Sequence, residues 1–452
     1  MKKLSENIRK KDDSESLLKW GSDWTNGYRI DPSLIVFPEE NSQVSELVYY
    51  AISNKLSLVP SGGRTGLSGG AVASNKEIVV SFDRMNKILD YSEEDRIVKC
   101  QSGLTTGELQ AFAVSQNLLY PVDFASSGTS QIGGNIATNA GGMKVIRYGS
   151  TRNWVAGMKV VTGKGEEIDL NYGLVKNATG FDLRHLMIGS EGTLGLICEA
   201  EMLLTSRPPK QKVILMSLDH ASNLTKILRV FSKDINLSAF EFFSDLCLTM
   251  VEKKLDIQSP MHQRSAFYAL VEFDEDKIDK VTDCFENCLE NQLITDAIIS
   301  NNETQFKKIW ALRENISESI SSFKPYKNDL SVKISDIPEF LEEVDIYISE
   351  GFPEFEVCWY GHIGDGNLHL NILKPSSMPI EEFIKHGDSM SPKIFSVVKN
   401  KMGSISAEHG VGLLKREYLG YSRSEDEIEY MKSIKEIFDP HQILNPGKLF
   451  KS

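Results

Sequence analysis

Two histidines, His362 and His369, flank a short glycine-rich segment and are the residues best suited to chemistry in this sequence of 452 residues. The runs on either side of the segment are typical of strands, and Asp365-Gly366 predicts a two-residue hairpin turn between them. That turn would place His362 directly opposite His369, with Cβ atoms about 5 Å apart on one face. Two neutral imidazoles at this spacing supply half of a metal site. The alternative is a pair of histidines that pack or hydrogen-bond without a metal.

A carboxylate and a third histidine stand side by side farther along the chain, between the small residues of segment 404–412. Glu408 would complete a set of two histidines and one carboxylate, which leaves coordination positions open for a substrate. His409 would then lie beside the metal without binding it. That is the position expected of a general base.

Composition narrows the class of protein that must position these residues. The length suggests two or three domains, and the hydrophobic content of 41% and charged content of 25% are ordinary for a soluble globular protein. A net charge of −13 argues against nucleic acid as the main partner. The chain has no run of 18 apolar residues, and its six cysteines form no CxxC pair, so we expect a reduced, cytoplasmic protein.

Three segments rich in glycine and other small residues lie at 61–70, 121–149 and 188–195. The first follows a predicted strand but has neither the GxGxxG spacing of a dinucleotide fold nor the GK[ST] ending of a P-loop. Glycine-rich backbone allows close approach of a ligand and lets successive N–H groups point at an anion. The first two segments lie far apart in sequence, and together they indicate a long ligand held largely by backbone. The alternatives are a plain glycine loop for the first and a linker for the second.

Periodicity predicts the regular elements around these segments. A strand over 34–37 precedes a helix through 44–52, for which Ser42 is the expected N-cap. Thr105 and Glu108 predict a capping box at the start of a later helix. From 211 to about 400, strands alternate with helices, which is typical of an α+β domain.

Two cations and a hydroxyl in the second half of the chain are candidates for binding a carboxylate substrate. Arg313 and Ser317 are i,i+4 neighbours on a helix predicted over 303–321, so they share one face. Lys327 begins a later strand, after the chain turns at Pro325, and can face the same pocket from another element. Taken alone, each cation is more typical of a solvated or ion-paired residue.

The glycine segments, together with G-H-I-G-D-G-N-L-H, A-E-H-G-V-G and the closing F-D-P-H-Q-I-L-N-P-G-K, resemble the vanillyl-alcohol oxidase and p-cresol methylhydroxylase superfamily, in particular its FAD-dependent D-2-hydroxyacid dehydrogenase branch. The likeness covers nearly the whole chain from about residue 20. It implies an α+β protein with a p-cresol methylhydroxylase-type (PCMH-type) FAD-binding domain over 1–208. An α+β, ferredoxin-like substrate or cap domain would span 209–402, and a small helical C-terminal segment 403–452 would complete the site.

The resemblance also implies the site residues. Metal ligands would be His362, His369 and Glu408, for a divalent ion that we expect to be zinc, with His409 as the base and Asn367 as a substrate contact. FAD would be non-covalent, because the first glycine loop lacks the histidine through which some members of the superfamily link the cofactor. The residues expected to line FAD are Pro60, Ser61, Gly62, Gly63, Arg64, Thr65, Gly66, Leu67, Ser68, Gly69, Gly133, Gly134, Asn135, Thr138, Asn139, Gly141, Gly142, Gly192, Ile197 and Asn445.

The activity implied by the resemblance is oxidation of a D-2-hydroxy acid to the 2-oxo acid, with hydride transfer to flavin N5. The motif around Lys327 resembles D-2-hydroxyglutarate dehydrogenases more than the D-lactate or glycolate enzymes, which remain the alternatives beside an oxidase or a flavoprotein subunit of a larger complex. We expect electron-transfer flavoprotein or a quinone as acceptor. A cytoplasmic location is expected, with peripheral attachment to the inner membrane as the alternative, and the sequence leaves open whether the protein is a homodimer.

Overall fold

The computed structural model describes residues 4–25 and 27–451. The chain divides into two compact units. Unit 1 comprises Met1–Gly142, Gly149–Arg207 and Glu408–Ser452, and unit 2 comprises Met143–Tyr148 and Pro208–Ala407. The division into three segments expected from the sequence remains a prediction about domains.

The strands are numbered here in chain order. They are β1 (Arg9–Lys11), β2 (Leu34–Phe37), β3 (Leu58–Ser61), β4 (Ile78–Ser81), β5 (Ile88–Ser92), β6 (Ile97–Gln101), β7 (Leu118–Leu119), β8 (Val155–Thr162), β9 (Glu167–Leu170), β10 (Gly195–Leu203), β11 (Thr205–Ser206), β12 (Gln211–Leu218), β13 (Ala239–Ser244), β14 (Phe267–Asp274), β15 (Asp296–Ile299), β16 (Tyr326–Ser331), β17 (Glu356–His362) and β18 (Asn367–Leu373).

The α-helices are numbered in the same way. They are α1 (Ser14–Trp20), α2 (Asn41–Asn54), α3 (Thr106–Ser115), α4 (Ile132–Thr138), α5 (Val145–Tyr148), α6 (Arg184–Met187), α7 (Ser222–Ser232), α8 (Asp245–Leu255), α9 (Ile278–Glu290), α10 (Glu303–Glu314), α11 (Ile316–Ser319), α12 (Ile337–Gly351), α13 (Ile380–Asn400) and α14 (Glu425–Phe438). No helix in the described part of the chain is long and apolar enough to cross a membrane.

Unit 1 contains two main sheets. In the first, β2, β4 and β3 pair in parallel in that order, and β1 lies antiparallel to β2 at the edge. The second is antiparallel, with the order β5-β6-β10-β8-β9. Ile132 and Ile136, from the second glycine segment, are buried in its core beside Val160. This packing anchors α4 and leaves the glycines between these isoleucines to line a cavity.

The C-terminal part of the chain also belongs to unit 1. Leu58 N donates to Ile443 O at 2.7 Å, and Asn445 N donates to Leu58 O at 2.7 Å. These bonds continue the parallel sheet beyond β3, so the segment that follows α14 supports the strand from which the first glycine loop leaves.

Unit 2 is built on one antiparallel sheet with the order β15-β12-β14-β13-β17-β18-β16. Residues of α8, α10 and α11 bury apolar side chains against one face of this sheet, including Leu248, Leu312 and Ile316. Long-range pairing brings β13 beside β17, although more than a hundred residues separate them. The histidine hairpin therefore occupies an inner position of the sheet rather than an edge.

Two local predictions were wrong and one was confirmed. Helix α2 begins at Asn41 with Glu40 at the cap position, so Ser42 is not the N-cap. The first turn already closes at Glu40, whose carbonyl accepts from Gln43 N at 3.1 Å, so Ser42 lies inside the helix. The helix predicted over 303–321 is divided at Asn315 into α10 and α11. The capping box formed by Thr105 with the first turn of α3 is present as predicted.

Candidate functional site

The histidine hairpin of unit 2 forms, but with a register different from the predicted one. Strand β17 ends at His362 and β18 begins at Asn367, so four residues rather than two connect the strands. His362 O accepts from the N–H groups of Asp365 and Gly366, which closes this longer loop. His362 consequently lies opposite Asn367, and His369 lies opposite Tyr360. The predicted direct opposition of the two histidines is therefore wrong.

The two histidines nevertheless share one face, because the register differs from the prediction by an even number of residues. Their Nε2 atoms are 3.4 Å apart, and both side chains are buried. Each Nδ1 atom points at a carboxylate: that of His362 lies 2.7 Å from Glu241 Oε1, and that of His369 lies 3.5 Å from Asp329 Oδ1. A carboxylate behind each imidazole is the usual outer partner of a metal-binding histidine, since it leaves Nε2 for the ion.

Glu241 also holds a cation. Its Oε2 atom lies 2.7 Å from Arg313 Nη2, and the guanidinium stacks over the Tyr360 ring at 4.8 Å. Burial opposes the charged form, but His362 and Arg313 together lower the pKa of Glu241 below its ordinary value. Arg313 is therefore ion-paired inside the protein. Its Nε atom is buried and has no hydrogen-bond acceptor among residues 4–25 and 27–451.

Lys327, on β16, lies on the same face of the sheet as His362 and His369. It is opposite Asn371, and two positions along the strand Asp329 is opposite His369. Lys327 Nζ donates to Ser317 Oγ at 3.3 Å, which joins two residues expected to bind substrate. The lysine remains accessible at its surface, yet burial by the surrounding atoms lowers its pKa. A lysine in this setting can meet an anion without being fully hydrated.

Asn367, the remaining expected substrate contact, is buried at the end of the same face. Its Nδ2 donates to Asp329 Oδ1 at 2.8 Å and to Leu330 O at 3.0 Å. Its Oδ1 is buried without a hydrogen-bond partner in the described chain. The amide oxygen can therefore accept a hydrogen bond from a group other than the described protein atoms.

Sequence reasoning missed three polar residues of this face: Glu241, Asp329 and Asn371. Asn371 is buried opposite Lys327, and its Oδ1 also lacks a hydrogen-bond partner within the described residues. The period-two spacing from His369 to Asn371 in the hairpin could have indicated that they share a face. The sequence carried no comparable signal for Glu241, because its place depends on the pairing of β13 with β17.

Unit 1 contains a cavity of about 920 Å³ that includes space open to solvent. Of the residues expected to line FAD, those that line the cavity are Pro60, Gly62, Gly63, Arg64, Thr65, Gly66, Ser68, Gly133, Gly134, Asn135, Thr138, Gly192 and Ile197. The structure thus brings together parts of all three glycine segments around one space. Other wall residues include Gln131 and Glu191, from within the second and third glycine segments, and Asp23 and Ser102, which the sequence did not indicate.

Several residues expected at the cofactor lie outside this wall: Ser61, Leu67, Gly69, Asn139, Gly141, Gly142 and Asn445. Asn445 supports the wall from behind, since its Nδ2 donates to Gly70 O at 3.0 Å and to Glu191 O at 2.6 Å. Asn139 Oδ1 accepts from Ser150 Oγ and Arg152 N, which fixes the chain after α4. These contacts give both asparagines a supporting role in the loops.

The cavity wall fits a cofactor that binds through backbone and small polar groups. Ser102 Oγ and Gln131 Oε1 are buried wall atoms that have no hydrogen-bond partner among the described residues. A Cβ on Gly134 would meet no atom within 4 Å, so the wall is open there. A Cβ on Gly63 would lie 2.3 Å from Thr129 O, which shows how closely the first glycine segment approaches the second.

The base predicted at His409 lines the same cavity of unit 1. Ser68 Oγ donates to His409 O at 2.9 Å. Two residues farther on, Glu191 accepts from the N–H groups of Val411 at 2.7 Å and Gly412 at 2.8 Å. Glu408 lies against the second glycine segment, since a Cβ on Gly141 would be 2.8 Å from its Oε1. The predicted base is therefore part of the wall of the unit 1 cavity.

The overall fold is that of a known class of flavoprotein. A crystal structure of p-cresol methylhydroxylase superposes with a TM-score of 0.75 at 15% identity, covering 97% of this chain and 93% of that one. An identity of 15% shows a shared fold alone. The expected α+β architecture with a PCMH-type FAD-binding fold is confirmed.

Two family models match the sequence: the FAD binding domain over residues 32–171 and the FAD linked oxidases, C-terminal domain, over residues 207–449. The chain belongs to the family of FAD-linked oxidases. A D-2-hydroxyglutarate dehydrogenase of Stutzerimonas stutzeri is 52% identical over 97% of this chain and 95% of its own length. A second, from Xanthomonas citri pv. viticola, is 45% identical over 98% of this chain and 95% of its own length. The expected membership of an FAD-dependent oxidoreductase family is confirmed.

Proposed function

We propose that the protein oxidises D-2-hydroxyglutarate to 2-oxoglutarate. Its relatives at 52% and 45% identity carry the name of that activity. The observation that carries the proposal is the position of Lys327 on the same sheet face as the paired histidines, in contact with Ser317. A second cation at this position supports a substrate that has a second carboxylate.

FAD is the proposed cofactor, held non-covalently in the cavity of unit 1 by the three glycine segments. The first loop, 61–70, contains no histidine, so that loop offers no imidazole for a covalent link. Ser102 and Gln131 offer buried polar atoms that the described protein does not use. When bound, FAD supplies the acceptor for the hydride of the 2-hydroxy acid.

A divalent ion, with zinc as first choice, is the proposed partner of His362 and His369, and Glu408 is the proposed third ligand. The donor set on the sheet face fits this assignment, since both Nε2 atoms face one another and both Nδ1 atoms are near carboxylates. When bound, such an ion supplies Lewis-acid polarisation of a hydroxyl oxygen.

The remaining steps use side chains of the chain itself. The His409 imidazole accepts the proton of the substrate 2-hydroxyl, as a general base placed by the Ser68 and Glu191 contacts to its turn. Arg313 binds the carboxylate next to the reacting carbon through the donor that Glu241 does not occupy. Asn367 orients the substrate through its buried amide oxygen.

Lys327 and Ser317 are proposed to bind the distal carboxylate. D-lactate and glycolate lack this group, so the Lys327 contact separates a diacid from a monoacid. D-malate is a shorter diacid and a second candidate substrate. A D-lactate dehydrogenase remains the second candidate function, because a putative D-lactate dehydrogenase of Schizosaccharomyces pombe is 34% identical over 98% of this chain and 87% of its own length.

The proposed electron acceptor for the reduced flavin is electron-transfer flavoprotein, with a quinone as the alternative. Both would reoxidise the flavin faster than air does. An oxidase would instead reoxidise rapidly with O₂, so the rate of reoxidation in air after anaerobic reduction separates these classes.

An anaerobic panel of D-2-hydroxy acids, followed by bleaching of flavin absorbance, tests the proposal. We expect D-2-hydroxyglutarate to reduce the flavin fastest, D-malate more slowly, and D-lactate and glycolate slowest. Faster reduction by D-lactate than by D-2-hydroxyglutarate would contradict the proposal and favour the second candidate.

A further inference from the structure

Glu241 stands out because a single buried carboxylate serves two different functional groups of unit 2. It lies opposite His362 in the pairing of β13 with β17, and its side chain is fully buried. One oxygen is 2.7 Å from His362 Nδ1 and the other is 2.7 Å from Arg313 Nη2. Asp329 stands behind His369 in a similar way, with its Oδ1 3.5 Å from His369 Nδ1.

The contact with His362 fixes which nitrogen of the imidazole is available. A carboxylate can only accept, so His362 donates through Nδ1, and in the neutral imidazole Nε2 then keeps its lone pair. Nε2 is the atom that faces His369 Nε2 at 3.4 Å. Glu241 therefore presents His362 in the tautomer and orientation that a metal ion requires.

The contact with Arg313 is an ion pair at 2.7 Å, although Glu241 Oε2 meets no hydrogen-bond geometry within the described residues. Arg313 is held on one side by Glu241 and on its flat face by the Tyr360 ring, while the buried Nε has no acceptor among the described residues. A planar, fork-shaped donor whose orientation is set in advance binds a carboxylate with little further loss of freedom.

We propose that Glu241 is a positioning residue that aligns the metal-binding imidazole of His362 and the substrate-binding guanidinium of Arg313 through one shared carboxylate. This inference rests on the proposed function, both for the role of Arg313 and for the ion at His362. A substrate whose hydroxyl binds at the ion and whose carboxylate binds at Arg313 would then meet two groups that are set relative to each other before it arrives.

Substitution of Glu241 by Gln keeps the size of the side chain and removes its charge. We expect zinc affinity to fall about 10- to 100-fold, the usual effect of losing an outer partner of a metal ligand. Zinc affinity is measured by competition with a chromophoric chelator on the FAD-loaded protein after its metal has been removed, so this result does not depend on turnover.

The second readout is kinetic, with zinc raised until the variant is saturated. If Glu241 positioned only the imidazole, saturating zinc would restore kcat/KM for D-2-hydroxyglutarate. We expect kcat/KM to remain at least about tenfold below that of the unchanged protein, because a carboxylate that sets Arg313 is also missing; such a loss corresponds to about 1.4 kcal/mol. Complete restoration would overturn the shared role.

Glu272 provides a matched control for neutralising a buried carboxylate on the same sheet. It is buried, accepts from Trp310 Nε1 at 2.9 Å and pairs with Lys144, and none of its described contacts involves a histidine or Arg313. Glu272→Gln is expected to lower thermal stability while zinc affinity stays within about twofold of the unchanged protein. An equal fall in zinc affinity in both variants would overturn the assignment, since the effect would then be general.

If Glu241→Gln loses FAD or fails to fold, Glu241→Asp decides the question. The shorter side chain keeps the charge but cannot span both partners at their observed distances. We expect zinc affinity between that of the unchanged protein and that of a protein without the carboxylate, and unchanged zinc affinity would overturn the proposal. If the unchanged protein reduces its flavin with none of the hydroxy acids, the proposed function fails, while the zinc measurement still tests the His362 contact.

Discussion

The two units prepare for their proposed ligands in different ways. The cavity of unit 1 is walled mainly by backbone, glycine and small hydroxyl or amide groups, such as Gly134 and Ser102. The site of unit 2 is a sheet face that carries charged and titratable side chains, including Glu241, His362 and Lys327. Backbone walls recognise a large cofactor by shape and hydrogen bonds, whereas the sheet face offers charge and metal ligands to a small acid.

This difference determines what a mutation should do. We expect a side-chain truncation on the sheet face to remove a chemical group and to preserve the cavity of unit 1. We expect an added methyl group in the cavity wall to remove space and to preserve the histidines of unit 2. Cofactor content and site chemistry should therefore respond separately to substitutions in the two units.

The largest effect is expected from removing a proposed metal ligand. His362→Ala, His369→Ala or Glu408→Ala should each lose bound divalent metal and activity, because the remaining donors cannot hold the ion, while the yellow FAD stays bound. Metal analysis and flavin absorbance on the same purified sample measure both quantities. Full metal occupancy in all three variants would show that these residues are not ligands.

The next effect concerns the base. His409→Ala should lower turnover about 10²- to 10⁴-fold, the usual size for loss of a general base, while metal and FAD contents stay unchanged. His220→Ala, at an exposed histidine of unit 2, serves as the control and should keep full turnover. Loss of the metal in the His409 variant would make this residue a ligand instead.

A smaller effect is expected from Gly63→Ala in the cavity wall. The new Cβ would lie 2.3 Å from Thr129 O, so the backbone must shift, at a cost of about 1–3 kcal/mol. We expect lower FAD content but unchanged zinc affinity. Gly128→Ala is the control, because a Cβ there meets no atom within 4 Å. Equal FAD content in the two variants would mean that close approach at Gly63 is not needed.

The smallest effect is a pH dependence of substrate preference. Burial lowers the pKa of Lys327 below the ordinary value of 10.5, so its ammonium loses its charge at a lower pH than that of a typical lysine. The preference for D-2-hydroxyglutarate over D-lactate should have its full value at neutral pH, where Lys327 is charged. It should decline as the pH rises through this lowered pKa. The ratio of the two kcat/KM values across alkaline pH measures it, and a constant ratio up to pH 10.5 would contradict the role of the charge.

The sequence was most informative where the site is made of backbone. Five glycines within 61–70 marked a ligand loop without any knowledge of its partners, because few other roles require that composition. Ile132 and Ile136 stand at helical spacing inside the second glycine segment, where α4 forms. Residues such as Ser102 could not be selected in this way, since a serine that lines a cavity looks like any other serine.

The sheet face was predicted only in part, because its geometry depends on long-range pairing. His362 and His369 were identified together from the hairpin, yet the turn was assigned two residues instead of four. Gly366 adopts a φ of +84°, and its carbonyl accepts from Val332 N just beyond the end of β16. The chain after β16 therefore helps to fix the conformation of the hairpin loop. Glu241 could not be found, because no local pattern shows that β13 pairs with β17.

The most direct test of the account compares Lys327→Met with the unchanged protein in anaerobic flavin reduction by D-2-hydroxyglutarate and by D-lactate. Methionine keeps the apolar stem and removes the charge, and Lys333→Met, at an exposed lysine after β16, is the control. We predict that the second-order rate constant for flavin reduction by D-2-hydroxyglutarate falls about 10- to 100-fold, as expected for loss of a charge-assisted contact of about 1.5–3 kcal/mol. The corresponding rate constant for D-lactate should stay unchanged. Equal losses for both acids, or no loss for the diacid, would contradict the assignment of Lys327 to the distal carboxylate.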